Sequence, residues 1–192
     1  MTDERDDEVE RWSAPWAWLY ATVAANPRSN RVVVELAEPG TGDVVLDVGC
    51  GAGAAVRAAA RTGAQAIGVD PSPAMVRTAR RRSDGVANVR FVDGDAAHLP
   101  LDDDSVTIAW AIATFHHWPD RRAGLEELRR VLRPGGRLLL GERRRRRAGG
   151  HGLTRSDAED TTGLLRQIGY RPVTTEERRL LLGTMLVIGG TA

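Results

Sequence analysis

Val44-Val45-Leu46-Asp47-Val48-Gly49-Cys50-Gly51-Ala52-Gly53 is the stretch that decides how the rest of the chain reads. Three valines and a leucine make a short, almost wholly apolar run, the pattern of a strand buried on both faces. Glycines at every second position then form a tight turn, and the alanine-rich segment Ala54 to Ala60 leaves it as a helix. Strand, glycine turn and helix together open a nucleotide-binding α/β domain. The missing side chains at Gly49, Gly51 and Gly53 let a ligand come close to the backbone.

Downstream, strands and helices alternate. Ala66 to Asp70 is a second strand ending in an acid, and Ser72 with Pro73 starts a helix that runs to Arg82. Asn88 to Val92 is a third strand, and Ser105 to Ala111 a fourth. Asp120 caps the next helix, whose Leu125, Leu128, Val131 and Leu132 keep helical spacing. Pro134-Gly135-Gly136 stops that helix and feeds a fifth strand, Arg137 to Gly141. Ser156-Asp157-Ala158-Glu159 fits a capping box for a last helix ending at Gly169. Tyr170 to Glu177 and Thr184 to Ile188 read as two closing strands. This order predicts a Rossmann-like, doubly wound sheet of seven strands, mostly parallel with an antiparallel last strand, and helices on both faces.

Upstream, residues 1–11 form an acidic tail expected to be disordered. Residues 12–192 are expected to make one domain. It divides into a helical cap over 12–40, a cofactor-binding core over 43–142, and a C-terminal helix with the closing strands over 153–192. In the cap, Trp12, Trp16 and Tyr20 fall on one helical stripe, which fits either packing against the sheet or a lid over a cleft. Acids number 26 and bases 27, every one of them arginine, so the net charge of +1 argues for neither nucleic acid nor a membrane surface. No apolar run approaches the roughly 18 residues that span a bilayer. The single cysteine, Cys50, forms no internal disulfide and reads as a small filler of the turn. A cytoplasmic protein is the expectation.

The turn itself admits two ligands. Gly49-Cys50-Gly51-Ala52-Gly53-Ala54 satisfies a relaxed dinucleotide fingerprint, and Asp70 lies about 20 residues on, where a ribose-binding acid belongs. An NAD(P)-dependent oxidoreductase fits that much. Asp47, however, sits inside the strand two residues before the first glycine. Buried there, a carboxylate is costly unless it meets amides or an ammonium group. It would repel a pyrophosphate, whereas it would suit a zwitterionic amino acid.

The chain as a whole resembles the class I S-adenosylmethionine-dependent methyltransferases, of the small-molecule type. The segments that carry the resemblance are 45–53, Gly68-Val69-Asp70-Pro71-Ser72, 95–101, 104–118, 128–136 and the Gly169-Tyr170 pair. The resemblance implies S-adenosylmethionine as cofactor and S-adenosylhomocysteine as product. The turn (Gly49, Cys50, Gly51, Gly53) would lie against the methionine part, with Asp47 near its amino group. Asp70, with Pro71 beside it, would hold the ribose. Ser72 and Met75 would border the adenine, Asp95 and Ala96 would read its edge, and Trp110 and Ala111 would border the methionine arm. The implied reaction moves a methyl group to an oxygen, nitrogen or carbon of a small molecule.

On the acceptor side, His116 and His117 follow the fourth strand and are the candidates for a general base. Trp12, Trp16, Tyr20, Phe115, His116 and Trp118 are the candidate acceptor-binding residues. No metal is expected, because carboxylates cluster only in the turn at 102–104. The run Arg143 to Arg147 fits a solvated loop, with an anionic substrate or RNA as the functional alternatives; without interleaved aromatics, RNA is the weaker of these. Only about 15 residues separate the fifth strand from the last helix, which leaves the site open or closed by dimerisation. A methyltransferase-like protein that binds cofactor without catalysis is the remaining alternative.

Overall fold

The computed structural model describes residues 27–147 and 150–192. Trp12, Trp16, Tyr20 and the acidic tail lie outside the described residues. Helix α1 (Pro27–Ala37) precedes β1 (Val44–Val48), α2 (Ala54–Ala60), β2 (Gln65–Asp70), α3 (Pro73–Arg82) and β3 (Val89–Asp93). Then come β4 (Val106–Ile112), one 3₁₀ turn over Phe115–His117, α4 (Arg121–Val131), β5 (Leu132–Arg143), α5 (Arg155–Ile168), β6 (Val173–Leu180) and β7 (Gly183–Thr191).

The strands form one seven-stranded sheet in the order β3-β2-β1-β4-β5-β7-β6. Pairs from β3 through β5 are parallel, and β7 runs antiparallel to both β5 and β6. The order reverses between β1 and β4, and open α/β sheets bind ligands in the crevice at such a switch point. Helices α1, α2 and α3 cover one face through Val33, Ala37, Val56, Val76 and Ala79. Helices α4 and α5 cover the other through Leu125, Leu128 and Leu165.

Local chemistry explains most boundaries. Ser72 accepts a hydrogen bond from the Met75 amide at 3.4 Å, and Pro73 occupies the first position of α3. Asp120 accepts from the Ala123 amide at 2.9 Å and starts α4. Gly68 faces the turn from β2, where an added Cβ would lie 2.7 Å from Cys50 Sγ and 2.8 Å from the Phe91 ring.

Among the boundaries that differ from the sequence expectation, three have a plain local cause. The capping box of α5 is Thr154 with Asp157: Thr154 Oγ1 accepts from the Asp157 amide at 3.1 Å, and Asp157 accepts from the Thr154 amide at 2.8 Å. Ser156 and Glu159 carry the same pattern two residues on, but Ser156 is already helical. The fifth strand begins at Leu132, directly after α4, with Pro134-Gly135-Gly136 contained in an irregularity where the register jumps from Val106–Leu132 to Ile108–Arg137. Tyr170 precedes β6 rather than opening it; it is fully buried and donates its hydroxyl to the Leu125 carbonyl at 3.1 Å.

Candidate active site

The turn after β1 and the end of β2 are built as one unit. The amides of Gly49 and Cys50 both donate to the Val69 carbonyl, at 2.8 and 3.1 Å. The Gly51 amide donates to Asp70 Oδ2 at 2.8 Å, and the Ser72 amide to Asp70 Oδ1 at 2.9 Å. Each carboxylate oxygen of Asp70 thus uses one lone pair on the backbone and keeps another for a ligand donor. Gly49 has φ of +75°, and a Cβ there would run into the Thr114 side chain from the β4 loop. Only glycine lets the two loops meet so closely.

Asp47 lies in register between Gly68 of β2 and Trp110 of β4 and is 3% exposed. Burial, then the neighbouring Asp70 charge, push its carboxyl up to about 8, and the nearby Trp110 indole moderates the rise. That indole Nε1 is itself buried with no hydrogen bond of ordinary geometry among the described residues. Burial also raises Asp70, against the pull of its two backbone donors. Two buried carboxyls beside a glycine turn favour a ligand with hydroxyl and ammonium donors and disfavour a pyrophosphate. Arg57, the cation nearest the turn in sequence, binds the Ala52 carbonyl and Ser83 instead, at 2.8 and 3.2 Å. The residues therefore fit an adenosine that carries an amino acid.

A pH dependence follows. A carboxyl whose pKa is raised by folding keeps its proton in the folded chain and loses it in the unfolded one. The ligand-free protein is thus expected to lose stability as pH climbs from about 4 towards 8. A ligand ammonium placed beside Asp47 reverses the preference and expels that proton. Affinity for S-adenosylhomocysteine should then rise with pH below about 8, at most about tenfold per pH unit. Calorimetry in buffers of different ionisation heat should count close to one proton released, and Asp47→Asn should release none.

Beyond β4 the chain turns through Ala113, whose amide donates to the Gly141 carbonyl at 2.8 Å, and enters the Phe115–His117 turn. His116 Nδ1 lies 2.8 Å from Glu142 Oε2, and the His116 amide donates to Glu142 Oε1 at 3.2 Å. Glu142 ends the apolar run of β5 and is 1% exposed. This pairing was not foreseen from the sequence; the signal was an acid after the apolar run of a buried strand, as Asp70 is in β2. His116 Nε2 meets His151 Nδ1 at 3.2 Å, and His151 Nδ1 meets His117 Nε2 at 3.3 Å. Burial, together with the charges of His116 and His151, lowers His117 to about 4.

Other expected site residues are less exposed or more occupied than expected. Phe115 is fully buried, in edge contact with Trp118 at 5.1 Å between ring centroids, and belongs to the core rather than to an acceptor surface. Trp118 is largely buried as well, with its ring filling the space over Gly124. Trp110 and Ala111 are fully buried because β4 is a central strand, paired with β1 and β5 and covered on both faces. Trp110 packs beside Asp47 on one face of the sheet and Ala111 belongs to the core on the other. Met75 is buried against Ala52, directly under the glycine turn, with Ser72 at its cap and Pro71 exposed. Asp95 is exposed and accepts from the Ala97 amide at 2.8 Å, which leaves its other oxygen free of that turn; Ala96 is half-buried beside it. Cys50 is buried, and burial with the two nearby acids raises its thiol, in keeping with a filler.

Residues 46–140 match the methyltransferase domain family. The chain is 42% identical over 122 residues to the methyltransferase GfsG of Streptomyces halstedii, across 62% of this chain and 44% of that protein. The chain belongs to the class I S-adenosylmethionine-dependent methyltransferase family. The matched part is less than half the length of that relative. Among solved structures, the phosphoethanolamine N-methyltransferase 2 of Haemonchus contortus shares the fold, with a TM-score of 0.80 at 16% identity over 95% of this chain and 58% of that one. The [4+2]-cyclase SpnF has a TM-score of 0.71 at 30% identity, over 80% of this chain and 61% of that one. Family membership decides between the two ligands that the glycine turn left open: the cofactor is S-adenosylmethionine, and the nicotinamide reading falls away. Among the described residues no helix is long and apolar enough to cross a membrane.

Proposed function

We propose that this methyltransferase-family chain transfers the methyl group of S-adenosylmethionine to an oxygen, nitrogen or carbon nucleophile of a small molecule. The observation that carries the reading is the pair of buried carboxyls at the glycine turn. Asp70 holds its spare lone pairs beside the Gly51 and Ser72 amides, and Asp47, buried one strand away, has no ion-pair partner among the described residues. The sulfonium supplies an already electrophilic methyl, so the protein's task is to align the nucleophile and exclude water.

His116 is the proton acceptor in this reading. Its Nδ1–H is fixed on Glu142, so the lone pair sits on Nε2, at the C-terminal edge of the sheet where β1 and β4 open. When the new bond to the methyl carbon forms and the bond to sulfur breaks, the nucleophile's proton passes to that nitrogen, and Glu142 stabilises the resulting imidazolium. Trp12, Trp16 and Tyr20 are proposed as acceptor-binding residues. The paucity of inserted chain between β5 and α5 leaves a second subunit as the alternative cover.

Release of S-adenosylhomocysteine on incubation with a panel of phenols, alcohols and amines tests the proposal. With a reactive acceptor, His116→Ala should lower turnover by about 100-fold or more. Full turnover in that variant removes His116 from the role of base. A second reading, in which the cofactor pocket serves a reaction other than methyl transfer, is favoured by the likeness to a [4+2]-cyclase. It predicts cofactor binding and acceptor conversion with no S-adenosylhomocysteine released.

A further inference from the structure

We infer that His116, His117 and His151 form a binding site for one divalent transition-metal ion, zinc(II) by its chemistry. Among the described residues their ligand nitrogens converge within 4.8 Å of one another. They come from two distant parts of the chain: the turn after β4 and the loop between β5 and α5. No metal-ligand spacing is visible in the sequence because His151 lies more than thirty positions from its partners. The expectation of no metal rested on carboxylates, and the ligands here are imidazoles.

Two of the three spacings match a tetrahedral ion, and the third, between His116 and His117, lies within 4.8 Å. Bonds of about 2.0–2.1 Å to nitrogen place tetrahedral ligands about 3.3–3.4 Å apart. His151 Nδ1 stands 3.2 Å from His116 Nε2 and 3.3 Å from His117 Nε2. Hydrogen bonds among neutral imidazoles do not account for both contacts. With the His116 proton held on Nδ1 by Glu142, His116 Nε2 offers only a lone pair. If His151 Nδ1 donates to it, that same nitrogen cannot accept from His117; if it accepts from His117, two lone pairs face each other. One contact is always unmatched, and a cation at the centre satisfies all three nitrogens.

The surroundings are those of a ligand set. A buried carboxylate on the far nitrogen of a ligating histidine fixes its tautomer and raises its basicity, and Glu142 is such a group. The His151 loop is anchored at both ends: the Leu153 amide donates to the Arg143 carbonyl at 3.0 Å, and the Arg145 amide to the Leu153 carbonyl at 2.8 Å. Gly152 makes this possible, with φ of +111° and a position where a Cβ would collide with the Arg143 carbonyl. Three imidazoles leave a fourth position of the tetrahedron open, as in sites that bind water or a substrate oxygen. A hydroxylated acceptor seated there would lose its proton to solvent more readily, and the role of His116 Nε2 as base would then belong to the metal-free chain alone. The metal site itself stands whether or not the chain methylates anything.

The test is titration of the metal-stripped full chain with zinc(II) by calorimetry and with cobalt(II) by visible absorption. One ion per chain, micromolar or tighter, with the intense bands of tetrahedral cobalt, is the expected result. His151→Ala, at an exposed position, should abolish those bands while leaving S-adenosylhomocysteine affinity unchanged, and Glu142→Gln should weaken metal binding about 10- to 100-fold. Absence of stoichiometric binding, or binding that survives His151→Ala at full strength, overturns the site. The latter result would place the ion elsewhere, for example at Asp102 to Asp104.

Discussion

Replacing Asp70 by alanine is expected to weaken S-adenosylhomocysteine binding about 10- to 150-fold, or about 1.5–3 kcal/mol, the worth of a charge-assisted hydrogen bond lost from a buried acceptor. Two effects combine. The ligand loses its acceptor, and the Gly51 and Ser72 amides lose the oxygens that hold the turn against β2. Asp70→Asn separates them, because one amide oxygen can still accept while the charge is gone. An asparagine variant intermediate between wild type and alanine supports direct hydrogen bonding to the ligand. Calorimetric affinity in the alanine variant equal to wild type removes Asp70 from the ligand altogether.

Phe115→Ala is expected to destabilise the fold by about 3–5 kcal/mol, the range for removing a buried aromatic ring. Phe115 is fully buried, packs edge-on to Trp118, and carries the Arg121 guanidinium 5.1 Å over its ring. It also opens the turn that carries His116 and His117, so its loss loosens the anchorage of that turn. Urea unfolding measures the cost, and the slope against urea should stay unchanged if the native state remains compact. A loss below about 1 kcal/mol would mean that the turn is not anchored by this ring.

Much of the fold was legible in the sequence because buried parallel strands announce themselves as short apolar runs. Val44 to Val48 and Gln65 to Asp70 could hardly be anything else, and Ser72 and Asp120 marked their helices by side-chain chemistry that acts locally. Errors arose where two neighbouring segments offered the same local pattern. Thr154 with Asp157 and Ser156 with Glu159 both satisfy a capping box, and only the path of the chain out of the Arg144–Leu153 bridge selects the first. The proline and glycines after α4 looked like a break, yet the sheet absorbs them as an irregularity inside β5.

The site divides in the same way. Asp47 and Asp70 stood out as candidates because each is an acid in an apolar strand beside the glycine turn, Asp47 inside β1 and Asp70 at the end of β2. Phe115 and Trp118 misled because an aromatic in a loop reads alike whether it faces inward or outward; here both fill core space above α4. Glu142 and His151 were invisible as partners of His116, since their meeting depends on the parallel pairing of β4 with β5, which no local pattern encodes.

Titration calorimetry of the full chain with S-adenosylhomocysteine and, separately, with NADH is the most direct measure of what the glycine turn holds. Binding of one S-adenosylhomocysteine per chain, with NADH weaker by at least tenfold, is the predicted result. Preference for NADH, or no binding of S-adenosylhomocysteine, would contradict it.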